Sequence, residues 1–149
     1  MGGPYDLYQQ LILDHYRNRR GRGRIEDASA SVHENNPVCG DECYLDILVV
    51  DGRIAEIRTD GDGCSISQAA ASMLTEAARG KDLDEALALV EHFRLMMHGE
   101  AEADEDLLGD AIALEGVARY PVRVKCALLS WLALRDCIAD YRETVATGG

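Results

Sequence analysis

The residues most able to do chemistry in this chain are its five cysteines, at positions 39, 43, 64, 126 and 137. Three of them sit among residues that suit an exposed junction better than a core. Cys39 lies in Asn35-Asn36-Pro37-Val38-Cys39-Gly40-Asp41-Glu42, a turn-rich stretch leading into an apolar alternation. Cys64 follows Gly61-Asp62-Gly63 and opens a helical pattern, and Cys126 falls in the first turns of a helix announced by Pro121. Unpaired N–H groups at a helix start favour an anion and lower a thiol pKa. An unperturbed thiol is only roughly 3% ionised at neutral pH, and the thiolate is the form that binds metals and attacks sulfur. Asp41 comes two residues after Cys39, which in an extended segment turns both side chains the same way. Three thiolates and one carboxylate can close a tetrahedral Zn2+ site. Its formal charge, +2 − 4 = −2, is offset in part by Arg123 and Lys125, which flank Cys126.

The separations are 64 − 39 = 25 and 126 − 64 = 62 residues, with no CxxC pair, so convergence of these three in space is an inference. A solitary free cysteine is ordinarily a buried apolar side chain. That description suits the other two. Cys43 alternates in phase with Leu45, Ile47 and Val49, which predicts the buried face of a strand, although its CxxxC spacing from Cys39 leaves a metal or disulfide role open. Cys137 follows Cys126 by eleven residues, about three helical turns, and reads as core packing. His15, His33, His92 and His98 read as surface or internally satisfied histidines, with His33 nearest in sequence to Cys39.

The rest of the chain limits what such a site can serve. A chain of 149 residues is long enough for one domain with its own core. Fifteen Lys+Arg against 27 Asp+Glu give a net charge of −12, which argues against a phosphate-backbone binder and hence against nucleic acid as a partner. Apolar residues at 47% exclude a disordered acidic chain, and 5% aromatics with three prolines argue against a large β-sandwich. The first ten residues lack the basic and apolar stretches of an export signal, and no apolar run is long enough to span a membrane. An odd number of cysteines without an export signal predicts cytoplasmic thiols rather than disulfides.

The elements that must hold the site follow from periodicity. Residues 4–17 form a helix opened by Pro4, with Tyr5, Tyr8, Leu11, Ile12 and Tyr16 near one face. Residues 17–24 hold five arginines and two glycines and read as a mobile basic loop, either solvated or a docking arm for an acidic partner. Strands are expected at 31–35, 43–50 and 53–59, with Asp51-Gly52 as a hairpin turn. Helices are expected from Cys64 to Gly80 and from Asp82 or Asp84 to Met97. Residues 99–110 carry six acids and read as a solvated linker, 111–118 as a short helix, and Pro121 to about Thr144 as the final helix, leaving 145–149 as a flexible tail. The order predicts an α+β fold, a small antiparallel sheet of about three strands with helices on one face, in a single domain over 1–149.

Three stretches, 35–42, 61–72 and 119–131, resemble the U-type iron–sulfur assembly proteins, the NifU N-terminal/IscU family, and within it the SufU branch. Lys125 stands where the scaffold members have a histidine, and residues 99–118 look like the insertion of that branch. The resemblance implies an IscU/SufE-like fold with Cys39, Asp41, Cys64 and Cys126 as zinc ligands. It also implies Cys39 as the acceptor of persulfide sulfur from a SufS-type, pyridoxal-phosphate-dependent cysteine desulfurase. Onward delivery would be to a downstream Suf scaffold or another sulfur acceptor. On this reading the chain is a zinc-dependent sulfurtransferase-like partner. The alternatives are a scaffold for a nascent [2Fe–2S] cluster on the same residues and a binding module with purely structural zinc. Cys43 departs from the family, which usually has an apolar residue there.

Overall fold

The computed structural model describes residues 4–148, and side chains from Leu7 onward. The Tyr5 side chain and residue 149 of the expected tail lie outside the described residues. Helix α1 spans Pro4–Arg17, and three strands follow, β1 (Ala30–Asn36), β2 (Asp41–Val50) and β3 (Arg53–Asp60). Helices α2 (Ser65–Ala78), α3 (Leu83–Met97) and α4 (Glu105–Leu108) lead to a 3-10 segment, Gly109–Val117, and to α5 (Pro121–Gly148). The sheet is antiparallel in the order β1-β2-β3. Its register pairs Asn36 with Asp41 and Tyr44 with Asp60, so the loops at 37–40 and 61–64 emerge at the same end of the sheet.

One face of the sheet presents Cys43, Leu45, Ile47, Ile54 and Ile57, all buried against α2 and α5. Cys43 therefore takes the core position that its alternation predicts. Trp131 of α5 is fully buried, stacks on Phe93 of α3 with ring centroids 3.9 Å apart, and donates its indole N–H to Ala70 O of α2 at 3.0 Å. That one side chain ties three helices together. Asp82 caps α3 in a reciprocal capping box with Glu85, which settles the start between the two expected aspartates.

Several boundaries differ from expectation for physical reasons. The face of α1 that meets the core runs through Tyr8, Leu11, Ile12 and a fully buried His15, whereas Tyr16 is exposed. The final helix continues through Gly148, so residues 145–148 are helical where a tail was expected, with no proline to interrupt the ladder. The arginine loop is pinned rather than free. Gly23 N–H donates to Thr59 O and Thr59 N–H to Gly21 O, both at 2.9 Å. Arg24 forks onto the buried Asp46 carboxylate at 2.9 and 3.1 Å and lies over the Tyr44 ring. A carboxylate buried on the helix-free face of the sheet needs a cation, and the loop supplies it. No helix among the described residues is long and apolar enough to cross a membrane.

Glu34 on β1 packs against Asp136 of α5, and burial together with that acidic neighbour pushes its carboxyl up to about 7 from 4.5. The folded chain thus holds this proton more tightly than the unfolded chain. The stabilising contribution is complete below about pH 4.5 and fades as pH rises through about 7. After discounting for partial exposure, we expect Glu34→Gln to stabilise the protein by about 1 kcal/mol at pH 8 and to change nothing near pH 4.5. Urea unfolding at the two pH values reads this directly. An equal increment at both would remove the titration from the account.

Candidate metal centre

The Cys39 thiol is presented by the loop joining β1 to β2. Gly40 N–H donates to Asn36 O at 2.8 Å, and Gly40 adopts a left-handed φ of 72°. Cys39 and Asp41 are thus brought together by a turn and not, as the spacing suggested, by extended chain. The Asn36 side chain donates to Cys39 Sγ at 3.2 Å and accepts from Val38 N–H at 3.1 Å, holding the turn closed. Asp41, the first residue of β2, is 1% exposed.

Cys64 is the N-cap residue of α2, and its N–H donates to Asp41 Oδ1 at 2.9 Å. Its thiol lies 4.0 Å from Asp41 Oδ2. The preceding loop is clamped on both sides, by Glu42 N–H donating to Asp62 O at 2.8 Å and by Arg19 donating to Gly61 O at 3.2 Å. The two glycines here are required by close approach. Gly61 has φ 108° and a Cβ would overlap the Glu42 carbonyl, while a Cβ on Gly63 would strike the Ser67 hydroxyl and lie 2.9 Å from Asp41 Oδ1.

Cys126 completes the group from α5, its Sγ 3.0 Å from Cys39 Sγ. It is fully buried, and its thiol donates to Val122 O at 3.5 Å. Its pKa is raised, first by burial and then by hydrogen bonding among Cys39, Asp41 and Cys64. This reverses the helix-start expectation, because Cys126 lies 126 − 121 = 5 residues into α5 and the terminal field fades within one turn. Arg123 is held more firmly protonated by charge attraction to Cys64 and a hydrogen bond to Cys126.

The four expected residues are therefore brought to one place. Donor atoms of Cys39, Asp41 and Cys126 all lie within 4.8 Å of one another, and Cys64 stands on the far oxygen of the same carboxylate. Donors on a tetrahedral zinc sit roughly 3.3–3.8 Å apart, given bonds of about 2.0–2.3 Å, so Cys39, Asp41 and Cys126 suit three corners of such an ion, and Cys64, outside that group of three and 4.0 Å from Asp41 Oδ2, would move in as the fourth. Cys39 and Cys64 are the half-buried members, in a cleft edged by Tyr120, Pro121 and Val122. Cys43 and Cys137 are buried elsewhere, each pushed up to about 12 by burial, and are poor nucleophiles. His33 pairs with Glu42 and stacks on Tyr44, outside the group. Sequence reasoning missed Asn36 as the thiol's hydrogen-bond donor; its signal was the Asn-Pro turn pair.

Residues 7–127 match the family described as the NifU-like N terminal domain. The chain is 48% identical over 134 residues to the zinc-dependent sulfurtransferase SufU of Bacillus subtilis (strain 168), covering 89% of this chain and 90% of that one. It is 39% identical to the iron-sulfur cluster assembly scaffold protein IscU of Streptococcus pyogenes serotype M1, over 89% of this chain and 82% of the relative. A crystal structure of a nitrogen-fixing NifU-like protein (N-terminal) from Brucella abortus superposes with a TM-score of 0.85 at 25% identity, covering 93% of this chain and 96% of the other. The match over residues 7–127, with 48% identity to a relative covered over nine-tenths of its length, places the chain in the NifU-like N-terminal domain family.

Proposed function

We propose that the chain is a zinc-dependent sulfur acceptor of iron–sulfur cluster assembly. It takes persulfide sulfur from a pyridoxal-phosphate-dependent, SufS-type cysteine desulfurase in the cytoplasm and passes it to a downstream Suf scaffold or another acceptor. The observation that carries this reading is the half-buried Cys39 thiol, on an exposed turn 3.0 Å from Cys126, among donors able to hold a metal. The names of the relatives, a zinc-dependent sulfurtransferase among them, support it.

Cys39, Asp41, Cys64 and Cys126 would hold the ion, which when bound supplies positive charge that keeps the thiols deprotonated and has no redox chemistry of its own. The chain's residues do the rest. The 37–40 turn leaves Cys39 half-buried, with Val38 67% and Tyr120 55% exposed as an apolar rim for a partner. The Cys39 thiolate attacks the outer sulfur of the donor persulfide. A new S–S bond forms at Cys39, the donor's S–S bond breaks, and the donor leaves as a thiolate, with no net change of electrons. Arg123 offsets the anionic charge beside Cys64 and Cys126. Residues 99–118 are the SufU-type insertion on this reading, within a single domain.

The test combines metal analysis of purified protein with intact mass after desulfurase and cysteine are added. We expect one zinc per chain and a gain of about 32 Da, one sulfur atom, mapping to the Cys39 peptide. An active desulfurase that leaves the mass unchanged would overturn the reading. The scaffold alternative is supported by the relatives named as scaffolds and by a donor set that also suits iron. It would be preferred if anaerobic reconstitution gave a stable, transferable [2Fe–2S] cluster; Lys125 counts against it, since a protonated lysine is no ligand.

A further inference from the structure

We propose that His15, Glu76 and Asp110 form a second divalent-cation site, separate from the thiol centre, which clips the 3-10 segment to α1 and α2. His15 is completely buried. Its Nδ1 lies 2.6 Å from Ser72 Oγ, and its Nε2 lies 2.8 Å from Asp110 Oδ2 and 3.5 Å from Glu76 Oε1. The two carboxylates are 44% and 45% exposed, so the imidazole forms the floor of a cup open to water. Donor atoms from all three side chains fall within 4.8 Å of one another. Ser72 is 72 − 64 = 8 residues along α2 from Cys64, roughly 12 Å, which keeps the cup apart from the thiols.

Two arguments favour a cation over a plain ion pair. Two carboxylates converge on one nitrogen that can offer only one proton, and Asp110 takes it at the shorter distance. Charge is also left over, because Arg20 pairs with Asp14 and Glu76 while Asp110 pairs with His15, and with the imidazole neutral the three carboxylates and one guanidinium sum to −3 + 1 = −2. A divalent ion closes that balance. The ring is prepared for it by Ser72, whose hydroxyl accepts Arg20 N–H at 2.9 Å and has a second lone pair for Nδ1–H. A cation would take the place of the Nε2 proton: with the ring protonated at Nδ1 instead, the Nε2 lone pair faces the carboxylates, and the hydrogen bond on the far nitrogen is the support that metal-bound histidines ordinarily have. One imidazole with two carboxylates selects Mn2+, Fe2+, Co2+ or Zn2+ over soft Cu(I) and over Ca2+.

Each donor comes from a different element, His15 from α1, Glu76 from α2 and Asp110 from the 3-10 segment. The cleft between α1 and that segment is lined by Tyr8, Ile12, Val117 and Tyr120, and Tyr120 also edges the thiol cleft. Occupancy of the cup would therefore stiffen one wall of the cleft that presents Cys39.

The experiment adds Mn2+ to the full zinc-loaded chain and reads free Mn2+ by electron paramagnetic resonance. Thiolates take Mn2+ poorly, so it reports the nitrogen–oxygen site. We expect one Mn2+ per chain, binding weakened at least tenfold in Asp110→Asn and in Glu76→Gln, and unchanged binding in Cys39→Ala. His15→Gln disturbs a buried contact, so the half-exposed carboxylates are the variants of choice, with folding checked by circular dichroism. No binding up to millimolar Mn2+, binding indifferent to Asp110→Asn, or binding lost in Cys39→Ala would each overturn the proposal. None of these outcomes bears on the sulfur-acceptor reading, which is scored by sulfur mass and not by Mn2+.

Discussion

A Cys39→Ala chain is expected to fold and to accept no sulfur. The half-buried Cys39 sits on a turn outside the main core, so truncation removes no packed apolar layer. What goes is the hydrogen bond from Asn36, the 3.0 Å contact with Cys126, one of the four proposed metal ligands and the attacking sulfur itself. The first two amount to about 1 kcal/mol. Loss of the nucleophile costs on the order of 10³-fold or more, because Cys64 is held at the Asp41 carboxylate and Cys126 is buried. Single-turnover transfer from persulfidated desulfurase, measured beside a melting curve, separates the two effects. A folded Cys39→Ala protein that still gained about 32 Da would move the acceptor to another thiol. Loss of activity only in step with unfolding would instead favour a purely structural ion.

Stripping the metal with a strong chelator should lower the melting temperature by about 6–12 °C. Asp41 is 1% exposed, and Cys126 is buried with its thiol pressed toward the neutral form. Without an ion, the Asp41 carboxylate keeps the Cys64 N–H bond and faces the sulfurs of Cys39 and Cys126, with the Cys64 thiol 4.0 Å away. A buried charge deprived of its counter-charge costs about 3 kcal/mol, and in a chain of this size each kcal/mol moves the midpoint by about 2–4 °C. Calorimetry of the loaded and stripped protein, with zinc added back to recover the loss, checks this. A midpoint indifferent to chelation, in protein shown to have lost zinc, would mean that the ion contributes nothing to folding.

The sheet and the main helices were legible because local chemistry and global packing agree there. Asp51-Gly52 turns between two apolar alternations, Pro121 opens α5, and Asp82 carries its capping partner Glu85 three residues on. The thiols that the structure gathers about Asp41 stood out in the sequence because Cys39, Cys64 and Cys126 each have neighbours unsuited to a core, and because their motifs resemble a family. What escaped was decided by contacts distant in sequence or by the sign of one dihedral. The arginine loop is fixed by Asp46 and Thr59, 22 residues from Arg24 and 40 from Arg19 respectively. The Cys39-to-Asp41 geometry hangs on Gly40 at positive φ, which spacing alone reads as extended chain. The raised pKa of Cys126 follows from burial, which outweighs its place near a helix start.

The unequal burial of the five thiols makes the molecule its own unfolding clock. In metal-free protein, Cys39 and Cys64 are half-buried and should be alkylated at once. Cys126 is fully buried, its sulfur 3.0 Å from that of Cys39, and waits for local opening of the site. Cys43 and Cys137 lie in the core at opposite sides of the sheet–helix interface and wait for global unfolding. A mass spectrum taken over time should therefore step from two labels to three and then to five, with zinc slowing the first two steps and leaving the last to the core.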